Sequence, residues 1–300
     1  MVRSDFCSID LASVGTNEGT FTPRNFLNVG SWSDGSNSSV SGDTRYKFYG
    51  YYPETGSKEA TYSSSLGGVL LNVPAAQTGE FGRYQICSSG EVELSKSEIL
   101  KNKMIRFTFS PLTSLLRVRF KFTATGQDGA PIDYLSEVYI KQLILTKTDG
   151  QEAASTTAPA NATLLPLAGD CQLNFADNTL TRSQSGASEK RIVVNLTNPV
   201  KVTKEYEGSG YVDIVLLPGT ESGRLYFQAG LQNGRGEFTV ASKDAPAGGF
   251  QPGVRYFLDR EISIKIAEDS MPDGSYVDGG NMWDSKVEND GAYTDGGNMW

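Results

Sequence analysis

The chemistry open to this chain is narrowed first by a residue it lacks: among 300 residues there is no histidine. That excludes Ser-His-Asp and Cys-His catalysis, imidazole-held zinc or haem, and the usual general base near neutral pH. Carboxylates remain as acid–base groups, and a paired-carboxylate glycosidase is the enzyme class they could serve. No pair of Asp or Glu stands apart from ordinary surface charge, so the chain is expected not to be an enzyme and to need no cofactor.

The densest acidic run lies near the C-terminus, where Asp273, Asp278, Asp284, Glu288, Asp290 and Asp295 fall within 23 positions. Calcium takes several carboxylate oxygens, but the spacing is not that of an EF-hand loop, and acidic solvated turns are the plainer reading. No metal is therefore expected. The same stretch writes DGGNMW twice, from Asp278 and again from Asp295, and ends on Trp300. Two short strands, SYVDGGNMW and GAYTDGGNMW, would form a hairpin or lie one behind the other. Each would use Asp-Gly-Gly as a turn or bulge and Met-Trp as an apolar plug. Tyr276, Val277, Met282, Trp283, Tyr293, Met299 and Trp300 are the candidate contacts with another subunit. Trp283 and Trp300 could instead offer faces to a sugar, although burial against the protein itself is the simpler expectation.

Cys7, Cys87 and Cys171 cannot all pair within one chain, and their wide spacing matches neither a metal knuckle nor a redox CxxC. They read as buried or half-buried thiols. Net charge is −8, from 27 basic and 35 acidic residues, with no basic block long enough to track a phosphate backbone, so nucleic acid is not an expected partner. No apolar run approaches the ~18 residues of a membrane span, and MVRSDFCSID has no apolar signal core. Either the protein stays inside the cell or an export signal has been removed.

The elements that must position these residues are strands. LRVRFKF puts Leu116, Val118, Phe120 and Phe122 on one face and Arg117, Arg119 and Lys121 on the other. The basic stripe could bind anions, but alternation by itself predicts the solvated outer face of a sheet. IRFTF alternates Ile105, Phe107 and Phe109, and EISIKIA alternates Ile262, Ile264 and Ile266. RYKFYGYYP, GVLLNVP, YIKQLILT, RIVVNLT, YVDIVLLP and GRLYFQAGL add further strands bounded by turn residues. Only SKSEILKNK, Ser95 to Lys103, reads as a helix, with Ser95 or Ser97 as N-cap. Many short strands and almost no helix predict an all-β chain of antiparallel β-sandwiches. Small and polar residues gather at 148–166, which divides the chain into 1–150, 151–270 and a tail at 271–300.

Four phrases taken in order resemble the fimbrillin family of Bacteroidales, the two-domain subunits of surface pili and related adhesins. They are YKFYGYYPET, VLLNVPAAQTGEFGRYQI, FTFSPLTSLLRVRFKFT and FQPGVRYFLDREISIKI. The resemblance spans most of residues 45–270 and departs at Pro111, where a histidine would be expected. It implies two tandem transthyretin-like sandwiches, exported as a lipoprotein to the outer membrane surface, with an anchor cysteine preceding residue 1. It also implies assembly by strand exchange. A protease cuts after a basic residue, an N-terminal strand departs, and a neighbour's C-terminal strand fills the groove by β-augmentation. Here FCSIDLASV would depart, with Cys7, Ile9 and Leu11 pointing one way, and Arg24 is the candidate cleavage site, ahead of Arg3 and Arg45. An uncut loop and an ordinary first strand are the alternative. The expected partners are other pilus subunits of the same family and a host or bacterial surface glycan or protein. A carbohydrate-binding surface module, using the Tyr-rich KFYGYYPETG and the Trp tail, is the competing function.

Overall fold

The computed structural model describes residues 7–9, 21–23, 45–52, 61–63, 67–95, 97–98, 101, 106–133, 137–150, 156–184, 186–232 and 237–266. They are almost entirely strand and turn, as the period-two patterning requires. From the N-terminus the strands are β1 (Cys7–Ile9), β2 (Phe21–Pro23), β3 (Arg45–Tyr52), β4 (Thr61–Ser63), β5 (Gly68–Val73) and β6 (Ala76–Gln77). There follow β7 (Cys87–Ser95), β8 (Ser110–Pro111), β9 (Ser114–Thr125), β10 (Val138–Thr148), β11 (Ala168–Asn174), β12 (Thr179–Arg182) and β13 (Ser188–Glu189). The last are β14 (Arg191–Val202), β15 (Tyr211–Leu216), β16 (Arg224–Leu231), β17 (Glu237–Val240), β18 (Lys243–Asp244) and β19 (Arg255–Lys265).

The chain forms two compact units. In the first, residues 1–48 with 93–106, β1 pairs antiparallel with β2 so that Ile9 faces Phe21 across the ladder. Arg45 pairs with Glu93 at 2.9 Å. The short helix starts as its sequence demands: the Ser95 hydroxyl accepts from the Glu98 amide at 3.2 Å, while Glu98 accepts from the Ser95 amide at 2.7 Å. This reciprocal capping box holds the Glu98 carboxyl below its ordinary value, chiefly through the Ser95 backbone bond.

The second unit, residues 49–92 with 107–300, holds the large sheets. Their strand orders are β18-β16-β10-β14-β6, β12-β11-β5-β4 with β13 also on β11, and β15-β9-β19-β17. Pairing is mainly antiparallel, with β19 running parallel to β9 from Arg255–Leu115 to Lys265–Thr125, and β6 parallel to β14. Inward residues of all three sheets share one apolar core, including Val69, Leu71, Phe120, Leu143, Leu145, Leu173, Ile192, Ile262 and Ile264. Leu116, Val118, Phe120 and Phe122 point inward as their alternation predicts, and so do Ile262, Ile264 and Ile266. The fold is an all-β sandwich.

Strands from both sides of residue 150 share each of the three large sheets: β5 pairs with β11, β9 with β15 and β19, and β10 with β14 and β16. The sheets therefore do not divide at the boundary that composition suggests, because long-range pairing leaves no mark on local composition. IRFTF departs from its expected strand. Arg106–Phe109 form no strand, and Phe107 and Phe109 lean on each other at 6.2 Å. The segment runs into Pro111, which has no amide to donate, and the ladder there is confined to two residues of β8 beside β7.

Candidate functional site

The outward face of the sheet β15-β9-β19-β17 gathers the side chains with most capacity to bind. Register sets them in rows. Asp213 on β15 lies beside Arg117 on β9, which lies beside Phe257 on β19. One row on, Tyr211 lies beside Arg119 and Arg119 beside Asp259; one further, Lys121 lies beside Glu261. Neighbouring strands stand about 4.8 Å apart, so each base reaches its acid without bending the sheet.

Each cation of the stripe is tied to an acid. Arg117 Nε donates to Asp213 Oδ1 at 2.6 Å. Arg119 grips Asp259 through two bonds, from Nε at 3.0 Å and Nη2 at 2.8 Å. The bond to Asp259 holds the Arg119 guanidinium above its ordinary value, against the opposing effect of desolvation. Lys121 Nζ sits 3.4 Å from Glu261 Oε2, and Glu261 also accepts from the Thr123 hydroxyl at 2.8 Å. The Arg119–Asp259 and Lys121–Glu261 pairs are half-exposed and contribute little stability, at about 0–1 kcal/mol for a typical surface pair, whereas Asp213 is nearly buried. Their larger effect is to fix side chains in place.

Aromatic rings complete the face. Arg117 lies 4.8 Å and Arg119 5.2 Å from the Tyr211 ring centre, while Arg119 and Lys121 lie 5.4 and 5.5 Å from that of Tyr206. Phe257 meets Tyr211 edge-on at 6.0 Å and 76°. It is 61% exposed, more than any other large apolar residue described. The stripe is therefore neither a bare anion-binding surface nor plain solvated charge: its cations are neutralised, and they frame a ring open to solvent.

The other expected residues fall elsewhere. Arg24, Tyr276, Val277, Met282, Trp283, Tyr293, Met299 and Trp300 lie outside the described residues, as does the acidic run from Asp273. In KFYGYYPETG, Tyr49 stacks on Phe175 at 4.6 Å and Tyr51 lies 6.2 Å from it, so both rings are committed to packing. Tyr52 is 45% exposed. Cys171 is buried, and burial, helped by the charge of Asp170, pushes its thiol up to about 12. Burial also raises half-buried Cys87. Neither is disposed to form thiolate. No group of three or more Cys, Asp or Glu among the described residues is placed to hold a metal ion, and no helix among them is long and apolar enough to cross a membrane.

Sequence reading found the cations but missed Tyr211, Asp213, Phe257, Asp259 and Glu261 as their partners. The alternation of YVD and FLDRE puts these residues on one face of their own strands; the register that brings them to β9 is not local information.

No family model matches the chain, and neither does any curated protein sequence. It is similar in structure to a candidate cell adhesion protein from Bacteroides ovatus, with TM-score 0.41 and 14% identity over 85% of this chain and 78% of the other. A second candidate cell adhesion protein, from Bacteroides uniformis, gives 0.38 and 14% over 75% and 68%. A third, from Bacteroides thetaiotaomicron, gives 0.27 and 13% over 92% and 84%.

Proposed function

We propose that this chain is a cell-surface adhesion protein that acts by binding rather than by chemistry, with the outward face of β15-β9-β19-β17 as its attachment surface. The observation that carries the reading is Phe257, 61% exposed on a regular strand and framed by neutralised cations and a second ring. Phe257 packs edge-on against Tyr211 and leaves most of its surface to solvent, which makes it available to a ligand. The fimbrillin-like phrases in their order support a bacterial surface setting. Polystyrene beads coated with the protein should attach to fixed bacterial or epithelial cell layers above albumin-coated beads, and Phe257→Ala should reduce attachment. Equal attachment by albumin-coated beads would sink the reading.

The finer reading is a pilus subunit, anchored by lipid and assembled by strand exchange after cleavage at Arg24, with the repeated DGGNMW tail as donor. It rests on the sequence resemblance. Treatment with an Arg-specific protease should produce SDS-resistant ladders that a version ending at Asp269 does not form. A protein that stays monomeric in both cases is no strand-exchange subunit.

A further inference from the structure

We infer that the corner formed by Phe257, Tyr211 and the Arg117–Asp213 pair binds an uncharged pyranose unit of a glycan, an inference that rests on the attachment surface proposed above. Three features select this ligand. The first is size. Phe257 and Tyr211 meet at 76°, giving a ring open to solvent with a second ring at its edge. An aromatic ring of this kind matches the C–H face of a single sugar ring, whereas a stable protein partner needs on the order of 1,000 Å² of buried surface.

The second feature is charge. Arg117, Arg119 and Lys121 are each paired with an acid, Asp213, Asp259 and Glu261. Because each cation's charge is already offset by its acid, a polyanion would gain little net attraction here and would meet three carboxylates as well, a cost that an uncharged polyol does not carry. The third is the supply of hydrogen bonds. Arg117 uses Nε for Asp213, so its Nη nitrogens can donate to a hydroxyl, and the Asp213 carboxylate beside them can accept from the next one. A donor and an acceptor adjoining an apolar ring is the combination that a pyranose, apolar on one face and hydroxylated at its rim, requires. Arg119 differs in role. Bound to Asp259 through Nε and Nη2, it positions Tyr211 rather than meeting the ligand.

The test is affinity electrophoresis of the whole chain through gels containing yeast mannan, dextran, xylan or galactan, with alginate and heparin as acidic counterparts. Wild type and Phe257→Tyr should be retarded by at least one neutral polysaccharide. Phe257→Ala should bind it at least about 10-fold more weakly while melting at the wild-type temperature, and Arg117→Met should also weaken it. The inference is overturned by equal retardation of Phe257→Ala, by retardation in acidic polysaccharides only, or by none at all. The bead assay separates the two levels. Beads that attach through Phe257 while no neutral polysaccharide retards the chain leave the adhesion reading standing without the sugar; beads that fail as well remove both.

Discussion

Gln77 meets the backbone of Val215 from both sides: its Nε2 donates to the Val215 carbonyl at 2.8 Å, and its Oε1 accepts from the Val215 amide at 3.0 Å. The glutamine is 2% exposed and β15 is the edge strand of its sheet, so a side-chain amide supplies the two bonds a further strand would make. Gln77→Ala leaves both peptide groups orphaned in the interior. At ~1–3 kcal/mol for each unsatisfied group, the loss should be roughly 2–6 kcal/mol, seen as a lower urea midpoint with unchanged slope. Gln77→Glu replaces the donor with a second acceptor and buries a carboxyl. The protonated acid can still donate to Val215, so this variant should be most stable in acid and lose stability as pH rises through its raised pKa.

That pair also marks how far the sequence could be read. Gln77 belongs to the phrase VPAAQT, recognisable as a family-like word, yet nothing local says that its amide serves a strand more than a hundred residues away. Alternation placed Leu116, Val118, Phe120 and Ile264 in the core and Arg117, Arg119 and Lys121 outside, because a face exposed on one side selects residues two apart. The helix start was legible only as a choice between Ser95 and Ser97; the structure caps from Ser95, with Glu98 closing the reciprocal bond. Register and sheet order were not legible. The parallel pairing of β19 with β9 joins residues 140 apart at Arg119 and Asp259, and the binding corner exists only through it.

Arg117 and Asp213 should be coupled energetically. Asp213 is 9% exposed and its bond to Arg117 is 2.6 Å long, so removing the guanidinium strands a carboxylate with little water. Arg117→Gln should therefore cost more than Asp213→Asn, about 2 kcal/mol against about 1. The double variant should lose less than the sum, by about 1 kcal/mol. Urea denaturation of all four proteins measures this. Additive losses would show that the pair carries no interaction.

Two glycines separate backbone strain from steric overlap. Gly129 has φ +83° with nothing near the position of a Cβ, whereas Gly249 has φ +75° and a Cβ there would fall on the carbonyl oxygen of Gly219. Gly129→Ala should cost only the left-handed backbone penalty, roughly 1–2 kcal/mol. Gly249→Ala carries the same penalty plus the displacement of Gly219, whose amide bonds to Phe250 at 3.0 Å. It should be distinctly less stable than Gly129→Ala in thermal melts. Equal losses would mean that the turn at Gly219 yields freely.

Lys147 offers a test in pH. It is 1% exposed on β10, with Nζ donating to the Glu221 carbonyl at 2.7 Å and lying 5.8 Å from the Phe250 ring centre. The neighbouring Arg182–Glu221 pair, at 2.9 Å, brings one charge of each sign. Desolvation dominates and lowers the Lys147 pKa from its ordinary value of 10.5; Glu221 works against that shift and Arg182 with it. A lowered base is costly while both states are protonated. Between the lowered folded pKa and the ordinary value, the unfolded chain holds a proton that the folded chain has released, so the Lys147 contribution to stability rises with pH across that window. Lys147→Met keeps most of the buried stem and discards the ammonium. Relative to wild type it should fare best near pH 7, where the charge is fully buried, and lose that relative advantage as pH climbs towards 10.5. Urea midpoints of both proteins at pH 7, 9 and 10 give the difference directly, with the other titrating groups cancelling. A difference that stays flat, or moves in favour of Lys147→Met as pH rises, would mean that the hydrogen bond to Glu221 outweighs desolvation and that the folded state favours the charged amine.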